Sequence, residues 1–294
     1  MQPTAYSQPI SPRPAQWIEI VRHRTAQVLR LLFLFLVSLL ILAPLVWTVS
    51  TSLRSPAESF SVPPQWIPVH PVWSNYQAVF QTIPFGVQVF NSLTVCLGIV
   101  AGQLVTASLA GYAFGRLEFP GKNIFFWLIL STMMIPLQAT MIPVFVLISK
   151  LRLADSLASL ILPAFPTAFG TFLLRQYYLT IPKELEEAAL LDGASQFQIF
   201  TKIYLPLIKP ALAVLGVLAF NYHWNEFFRP LIFLSSTDKF TLPLGLVDLQ
   251  GYMRTGSISV VLAGVVLSLI PVLIIFLVGQ RYLIEGIVRG ALKG

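Results

Sequence analysis

An all-α polytopic membrane protein with about six transmembrane helices is the fold class predicted, on three observations. The chain has 294 residues, 56% hydrophobic and only 11% charged, with a mean hydropathy of +0.76, whereas a soluble domain carries about a quarter charged residues. Several stretches reach the roughly 20 apolar residues that cross a hydrocarbon core of about 30 Å. Lys and Arg are divided unevenly between the loops on the two sides of those stretches.

The first span is expected over about Leu31–Ser50, behind a cytoplasmic tail at 1–30 whose first 16 residues read as disordered. The apolar run is too long for the h-region of a signal peptide, so it reads as a retained span. The second span is expected over about Val87–Ala113. The third starts near Ile124 and ends near Ile135, because Pro136 and Pro143 lack the amide hydrogen a helix needs. Leu157–Leu174, Ala211–Leu234 and Val260–Tyr282 complete the set, so 31–284 reads as one transmembrane domain with a cytoplasmic C-terminal tail at 285–294.

An even number of spans puts both ends on one side. Thirteen of the 19 Lys and Arg fall on that side: Arg13, Arg22, Arg24 and Arg30; Arg116 and Lys122; Arg175, Lys183, Lys202 and Lys209; Arg281, Arg289 and Lys293. The excess places both termini in the cytoplasm. It also accounts for the net charge of +7 and a pI near 9.7 without a nucleic-acid partner. Of the outer loops, 51–86 is proline-rich and extended, and 235–259 is rich in polar turn formers. Cys96 is the single cysteine and sits in an apolar run, so neither a disulfide nor a metal site is expected. No repeat of 20–50 residues argues for a solenoid.

The longest polar stretch on the cytoplasmic side is the loop 178–206. Pro182 suits a first helical turn, and Glu184, Glu186 and Glu187 sit at that helix's positive end. Leu185, Ala188 and Ala189 share one face by their i, i+3, i+4 spacing. Asp192-Gly193 permits a turn, after which a second short helix presents Phe197, Phe200 and Ile203 before Pro206 stops it. An alanine-rich stripe of this kind either docks into a groove on another protein or packs on the chain's own spans. No Gly-x-x-x-x-Gly-Lys-Ser/Thr loop is present, and Gly121-Lys122 is followed by Asn123, so nucleotide chemistry is not expected here.

The run Glu187-Ala188-Ala189, Asp192-Gly193-Ala194, Phe200, Ile203, Leu205-Pro206 and Pro210 resembles the EAA loop of ABC importer permeases. The resemblance extends to the carbohydrate branch. Thr51-Ser52-Leu53-Arg54, Pro63-Pro64, Asn75-Tyr76, Phe90-Asn91-Ser92, Trp224-Asn225-Glu226-Phe227 and Thr241-Leu242-Pro243 carry it, and the tail from Gln280 is similar to that of the smaller maltose-type permease. It implies a non-catalytic permease of a bacterial-type cytoplasmic (inner) membrane. The implied partners are a second homologous permease, an ATP-binding subunit dimer that alone binds ATP, an extracytoplasmic solute-binding protein and membrane lipid. No cofactor is implied for this chain. Coupling to the ATPase is carried over to Glu187, Ala188, Ala189, Asp192, Gly193, Leu205 and Pro206. The cargo implied is a sugar or oligosaccharide, with glycerol-phosphate or another polyol as the alternative and a secondary transporter as a more distant one. Arg281, Arg289 and Lys293 either reach toward the ATPase or hold anionic lipid.

A pathway for sugar needs hydrogen-bonding groups within the spans, where polar atoms face the bundle interior or water. Asn91, Gln103, Gln138, Asn221, His223, Trp224, Asn225 and Glu226 are the pathway candidates. Glu226, with Arg229 at i+3, reads first as a local ion pair snorkelling to the interface and second as a pathway residue. Asn221 and Asn225 share a face and either line the pathway or bond a neighbouring helix. Gln138, beside Pro136, falls in an irregular segment able to gate the outer mouth, and Gly98 and Gly102 suit close helix packing.

Overall fold

The computed structural model describes residues 14–59, 66–251 and 256–291, with only the backbone described at 14–21 and 283–291. The expectations placed on residues 1–13, on Pro63 and Pro64, and on Lys293 lie outside the described residues, as does any role for the Arg289 side chain. The described residues hold helices and no strand. In chain order the α-helices are α1 (Pro14–Ser52), α2 (Ser74–Thr82), α3 (Phe85–Arg116), α4 (Lys122–Ser131), α5 (Leu137–Lys150), α6 (Leu157–Ile161), α7 (Ala168–Leu179), α8 (Glu184–Leu191), α9 (Gln196–Gln198), α10 (Leu205–Leu207), α11 (Lys209–Trp224), α12 (Phe228–Phe233), α13 (Leu242–Asp248) and α14 (Ile258–Ala291).

Three helices are individually long and apolar enough to cross a membrane: α1 over Arg22–Ser52, α3, and α14 over Ile258–Tyr282. Three more spans appear when bent pairs are joined. Lys122–Met134 meets α5 at 104°, Leu157–Ala164 meets α7 at 40°, and Gln196–Leu207 meets α11 at 72°.

Proline chemistry locates the breaks. Pro136 forces Ile135 into extended backbone (φ −84°, ψ 117°) and caps α5. Pro163 and Pro166 flank the second break, after which Thr167 caps α7 by accepting a hydrogen bond from the Gly170 amide at 3.1 Å. The third break falls at Ile208, just ahead of Lys209-Pro210.

Several expected boundaries move. The segment 14–30, read as tail, is helical and continuous with α1, and α14 carries 285–291 as helix. The third span is not finished near Ile135 but turns sharply into α5, where Pro143 is accommodated. The fifth helix stops at Trp224, and 228–233 forms the separate α12. Pro206 does not stop the second loop helix: it lies in the first turn of α10, where a missing amide is harmless.

Helix α3 runs through the centre and packs on α7, α11 and α6, while α1 lies against α14. No residue of the apolar stretch of α1 is buried within the chain. Leu40 and Ile41 are 75% and 70% exposed, a surface that costs nothing against lipid. Gly98 meets the Ile161 side chain and Gly102 the Phe165 ring, as expected for close packing.

Asn91 is buried and donates from Nδ2 to the carbonyls of Asp238 (2.8 Å) and Phe240 (3.1 Å), pinning the loop after α12 onto α3. That loop has a second clasp. The Asp155 carboxylate accepts from the Ser236 hydroxyl (2.5 Å), the amides of Ser235 and Ser236 (2.9 and 3.0 Å) and Lys239 Nζ (3.0 Å). These bonds, that from the Ser236 hydroxyl foremost, hold its pKa well below the usual carboxylate range. The clasp therefore contributes fully above the ordinary Asp value of about 3.9 and is lost as pH falls below it.

The α3–α7 crossing yields a prediction. A Cβ at Gly111 would lie 2.9 Å from Leu174 Cβ and 3.0 Å from the Arg175 backbone nitrogen, whereas one at Gly86 would meet nothing. Gly111→Val is expected to cost about 1–3 kcal/mol by overpacking and to lower the thermal midpoint of the detergent-solubilised chain. Gly86→Ala should leave the midpoint unchanged within about a degree, since surface substitutions rarely matter.

Candidate functional site

Two sites stand apart along the bundle. The first is α8 with the segment that follows it. No residue of α8 is fully buried. Leu191 is 90% and Phe197 72% exposed, and Leu185 and Leu190 are also exposed. Of the stripe read from the sequence, Ala189 packs on the chain's own core while Leu185 and Ala188 stay accessible.

The turn after α8 is a Schellman motif. Gly193 has φ +80°, its amide donates to Leu190 O (3.0 Å), and the Ala194 amide donates to Ala189 O (2.9 Å). Ser195 then starts α9 with a capping box closed by Gln198. A π-helical turn, Ile199–Tyr204, follows and buries Ile199, Phe200 and Tyr204. Phe200 is thus part of the foundation, not of the presented face expected for it. Glu187, Asp192, Gly193 and Pro206 are exposed, and Leu205 is half-buried.

Beneath α8, the rings of Tyr112, Tyr178, Phe200 and Tyr204 gather with centroids 5.2–5.8 Å apart. Arg116 donates to the carbonyls of Tyr178 (2.5 Å) and Ile181, and its guanidinium lies 4.8 Å over the Tyr204 ring. Tyr204 donates from its hydroxyl to Glu186 Oε2 at 2.8 Å, and Tyr112 donates to Gln196 Oε1 at 2.7 Å. Arg116, Tyr112 and Tyr204 are functional in this sense and were not singled out from sequence. Their signal, an arginine and two tyrosines near helix ends, is common to many unrelated cores.

The second site is a cleft of about 570 Å³ between α3, α7, α11, the start of α12 and the breaks that precede α5 and α7. Phe169 and Tyr222 offer it partly exposed aromatic surface. Its wall contains a buried polar chain. Gln103 Nε2 donates to Ala164 O at 2.8 Å, which orients the amide, and the same NH₂ lies 3.2 Å from His223 Nε2. The other imidazole nitrogen, Nδ1, lies 2.9 Å from Glu226 Oε2 and 3.1 Å from Arg229 Nη2, so the ring is held between the glutamine, the carboxylate and the guanidinium. Arg229 donates to both Glu226 oxygens, through Nε and Nη2, and from Nη1 to Leu160 O at 3.2 Å.

The ion pair expected to snorkel is instead buried. The Glu226 and Arg229 side chains are only 9% and 8% exposed, because α12 turns back against α6. Of the predicted pathway residues, Gln103, His223 and Glu226 line this cleft. Asn91 is committed to the loop clamp, and Trp224 is buried, stacked on Phe220 and bonded to Ser268 O at 3.2 Å. Asn225 donates to Asn221 O within its own chain turn, and both are exposed. Gln138 is exposed in the first turn of α5.

This arrangement defines an integral membrane transport subunit, an all-helical body with broken spans around a cleft and a protruding helix at one end. The chain belongs to the family described as "binding-protein-dependent transport system inner membrane component", whose model matches residues 103–289. It is 41% identical over 204 residues to the arabinooligosaccharides transport system permease protein AraQ of Halalkalibacterium halodurans, covering 69% of this chain and 73% of that protein. It is 34% identical over 257 residues to the sn-glycerol-3-phosphate transport system permease protein UgpE of Yersinia enterocolitica, covering 85% and 92%. A crystal structure of a bacterial ABC transporter involved in import of the acidic polysaccharide alginate holds a chain that superposes with a TM-score of 0.75. That chain is 29% identical, with 94% of this chain and 99% of that one covered.

The buried pair makes a second prediction. Arg229→Met alone strands the Glu226 carboxylate and is expected to destabilise by about 3–5 kcal/mol, whereas Glu226→Leu with Arg229→Met should cost much less than the sum of the single changes. Thermal unfolding of the four-member mutant cycle measures the coupling, and additive losses would contradict it.

Proposed function

We propose that the chain is a transmembrane permease subunit of an ATP-binding-cassette importer for sugars or oligosaccharides. It forms half of the translocation pathway and performs no catalysis. Family membership supports the transport role, and the sugar class follows from relatives such as the arabinooligosaccharide permease. The observation that carries the mechanism is the exposed α8 on a rigid base. Leu185, Leu190, Leu191 and Phe197 offer an apolar surface to a groove on a separate ATPase, and the chain has no phosphate-cradling motif of its own.

In this reading both termini and α8 face the cytoplasm, in accord with the Lys and Arg distribution. A dimer of ATP-binding subunits grips residues 181–206, with Glu187, Ala188, Ala189, Asp192, Gly193, Leu205 and Pro206 in or beside the contact. Closure of that dimer rocks the spans around the cleft, which a second, homologous permease completes. An extracytoplasmic solute-binding protein delivers cargo to the loops at the opposite end, in keeping with the family's description.

Cargo contacts in this half come from Phe169, Tyr222 and the accessible edge of the Gln103–His223–Glu226 chain. Among the described residues lining the cleft, Arg229 is the single Lys or Arg, and it is spent on Glu226. That favours an uncharged sugar over a glycerol-phosphate ester, which needs an available cation.

Purification from the native membrane tests the assembly. An ATPase subunit and a second permease should accompany the chain, and their absence would remove the reading. Within the intact complex, Leu191→Asp with Phe197→Asp should release the ATPase without lowering the stability of the permease, because both side chains are exposed. Gly193 separates the backbone requirement from bulk. A β-branched residue there costs about 1–2 kcal/mol in left-handed backbone, so Gly193→Val should uncouple ATP hydrolysis from uptake while Gly193→Asn retains most uptake. Equal uptake by both variants would refute the turn's role.

A further inference from the structure

A second polar pocket, of about 430 Å³, opens at the α3–α4 turn on the same end of the bundle as α8. Its lining includes Glu118, Phe119, Gly121, Lys122, Asn123 and Arg175. It is separate from the cleft and takes no part in the pathway proposed above.

Two cations define it. Arg175 is immobilised: Nε donates to Phe114 O at 3.1 Å, and the guanidinium carbon sits 4.2 Å over the Phe126 ring. Its two Nη groups make no hydrogen bond to a described residue, although the guanidinium plane is fixed. The Lys122 side chain is only 14% exposed, held back over the pocket, and its Nζ lies 3.1 Å from Glu118 Oε1. Glu118 offsets one charge, but its own side chain is 86% exposed and therefore well solvated. The pocket thus carries a net single positive charge and two oriented NH₂ groups with unused donors, which matches a phosphodiester in charge and hydrogen-bonding capacity.

The surface next to the pocket identifies the source of that phosphate. Immediately after Lys122, α4 exposes Ile124 (67%), Phe125, Trp127 (68%) and Leu128. A polar socket at the end of a bare apolar helix, with a tryptophan one turn in, has the layout of the membrane interface.

We propose that this pocket is a headgroup site for an anionic phospholipid. Its phosphodiester is taken by Arg175 and Lys122, and its acyl chains run along α4. Because Arg175 also ties α7 to α3 and to the Phe126 ring, the bound lipid braces the root from which α8 projects.

The test uses the full chain purified with the subunits that accompany it, titrated with phosphatidylglycerol, phosphatidylcholine or inorganic phosphate, with bound lipid counted by native mass spectrometry. Phosphatidylglycerol should be retained in preference to phosphatidylcholine. Lys122→Gln should weaken that retention about fivefold, the worth of one interfacial cation. Glu118→Gln, at an exposed position, should strengthen it by a similar factor. Equal retention of the two lipids would overturn the proposal, and so would unaltered retention in both variants. Displacement of phosphatidylglycerol by millimolar inorganic phosphate would assign the pocket to a soluble anion and overturn it equally.

Discussion

Arg116 closes α3 by donating to two carbonyls of the chain leading into α8, and its guanidinium covers the ring of Tyr204 from the segment leading out of it. Helix α8 has eight residues and no fully buried one. A helix of that length is not stable alone in water, so its order is borrowed from this junction. The same junction binds α3, the end of α7 and the 196–208 segment into one piece. Tyr204 belongs to all of it at once: its ring packs against those of Tyr112 and Tyr178 and carries Arg116, and its hydroxyl bonds Glu186 on α8 itself. A force applied to the exposed residues of α8 therefore reaches three spans without any helix having to bend first.

The opposite halves of those spans are joined by a different chemistry. Gln103 on α3, the Ala164 and Leu160 carbonyls on the second broken span, His223 on α11, and Glu226 with Arg229 at α12 are linked through a chain of hydrogen bonds. Low-dielectric surroundings make such bonds strong and make any loose end costly. The network thus sets the relative positions of α3, α11 and the α6 segment at the cleft, while its charges cancel. Since α3 and α11 extend from this network to the aromatic junction, the two sites are mechanically one body.

How much of this was legible depends on whether the determinant was local. The turn at Gly193 and the box at Ser195 and Gln198 are written in adjacent residues, and the loop's position and protrusion followed from them. The break at Pro136 was equally local. The continuation into α5 was not, because a proline stops one helix without saying whether the next returns to the bundle. Phe200 was placed on the wrong face because the π-helical turn over Ile199–Tyr204 changes the angular spacing that an i, i+3 reading assumes. Gln103, His223 and Glu226 were readable as polar residues within spans, but their linkage into one cleft network was out of reach for another reason. Gln103 and Arg229 are 126 positions apart, and nothing in either neighbourhood distinguishes a polar residue aimed at the cleft from one, like Asn91 or Trp224, spent on holding a loop or a helix.

The placement of the broken backbone follows from the solvent. Within a hydrocarbon layer an unpaired carbonyl or amide costs several kcal/mol, so irregular backbone survives only where it is buried in protein or lines a wet cavity. Two of the three breaks obey this directly: Thr132, Met133 and Leu137 from the first and Pro163, Pro166 and Thr167 from the second all line the cleft. The gap between α11 and α12, which holds Glu226, lies there as well. The cleft, with a smaller cavity of about 300 Å³ beside it that shares Thr132, Pro166 and Thr167, is where water can satisfy those groups. A polar cargo replacing that water would meet backbone oxygens, the glutamine–histidine edge and two aromatic faces before it met any uncompensated charge. The features that interrupt the helices and the features that suit an uncharged, hydroxyl-rich solute therefore share one physical cause.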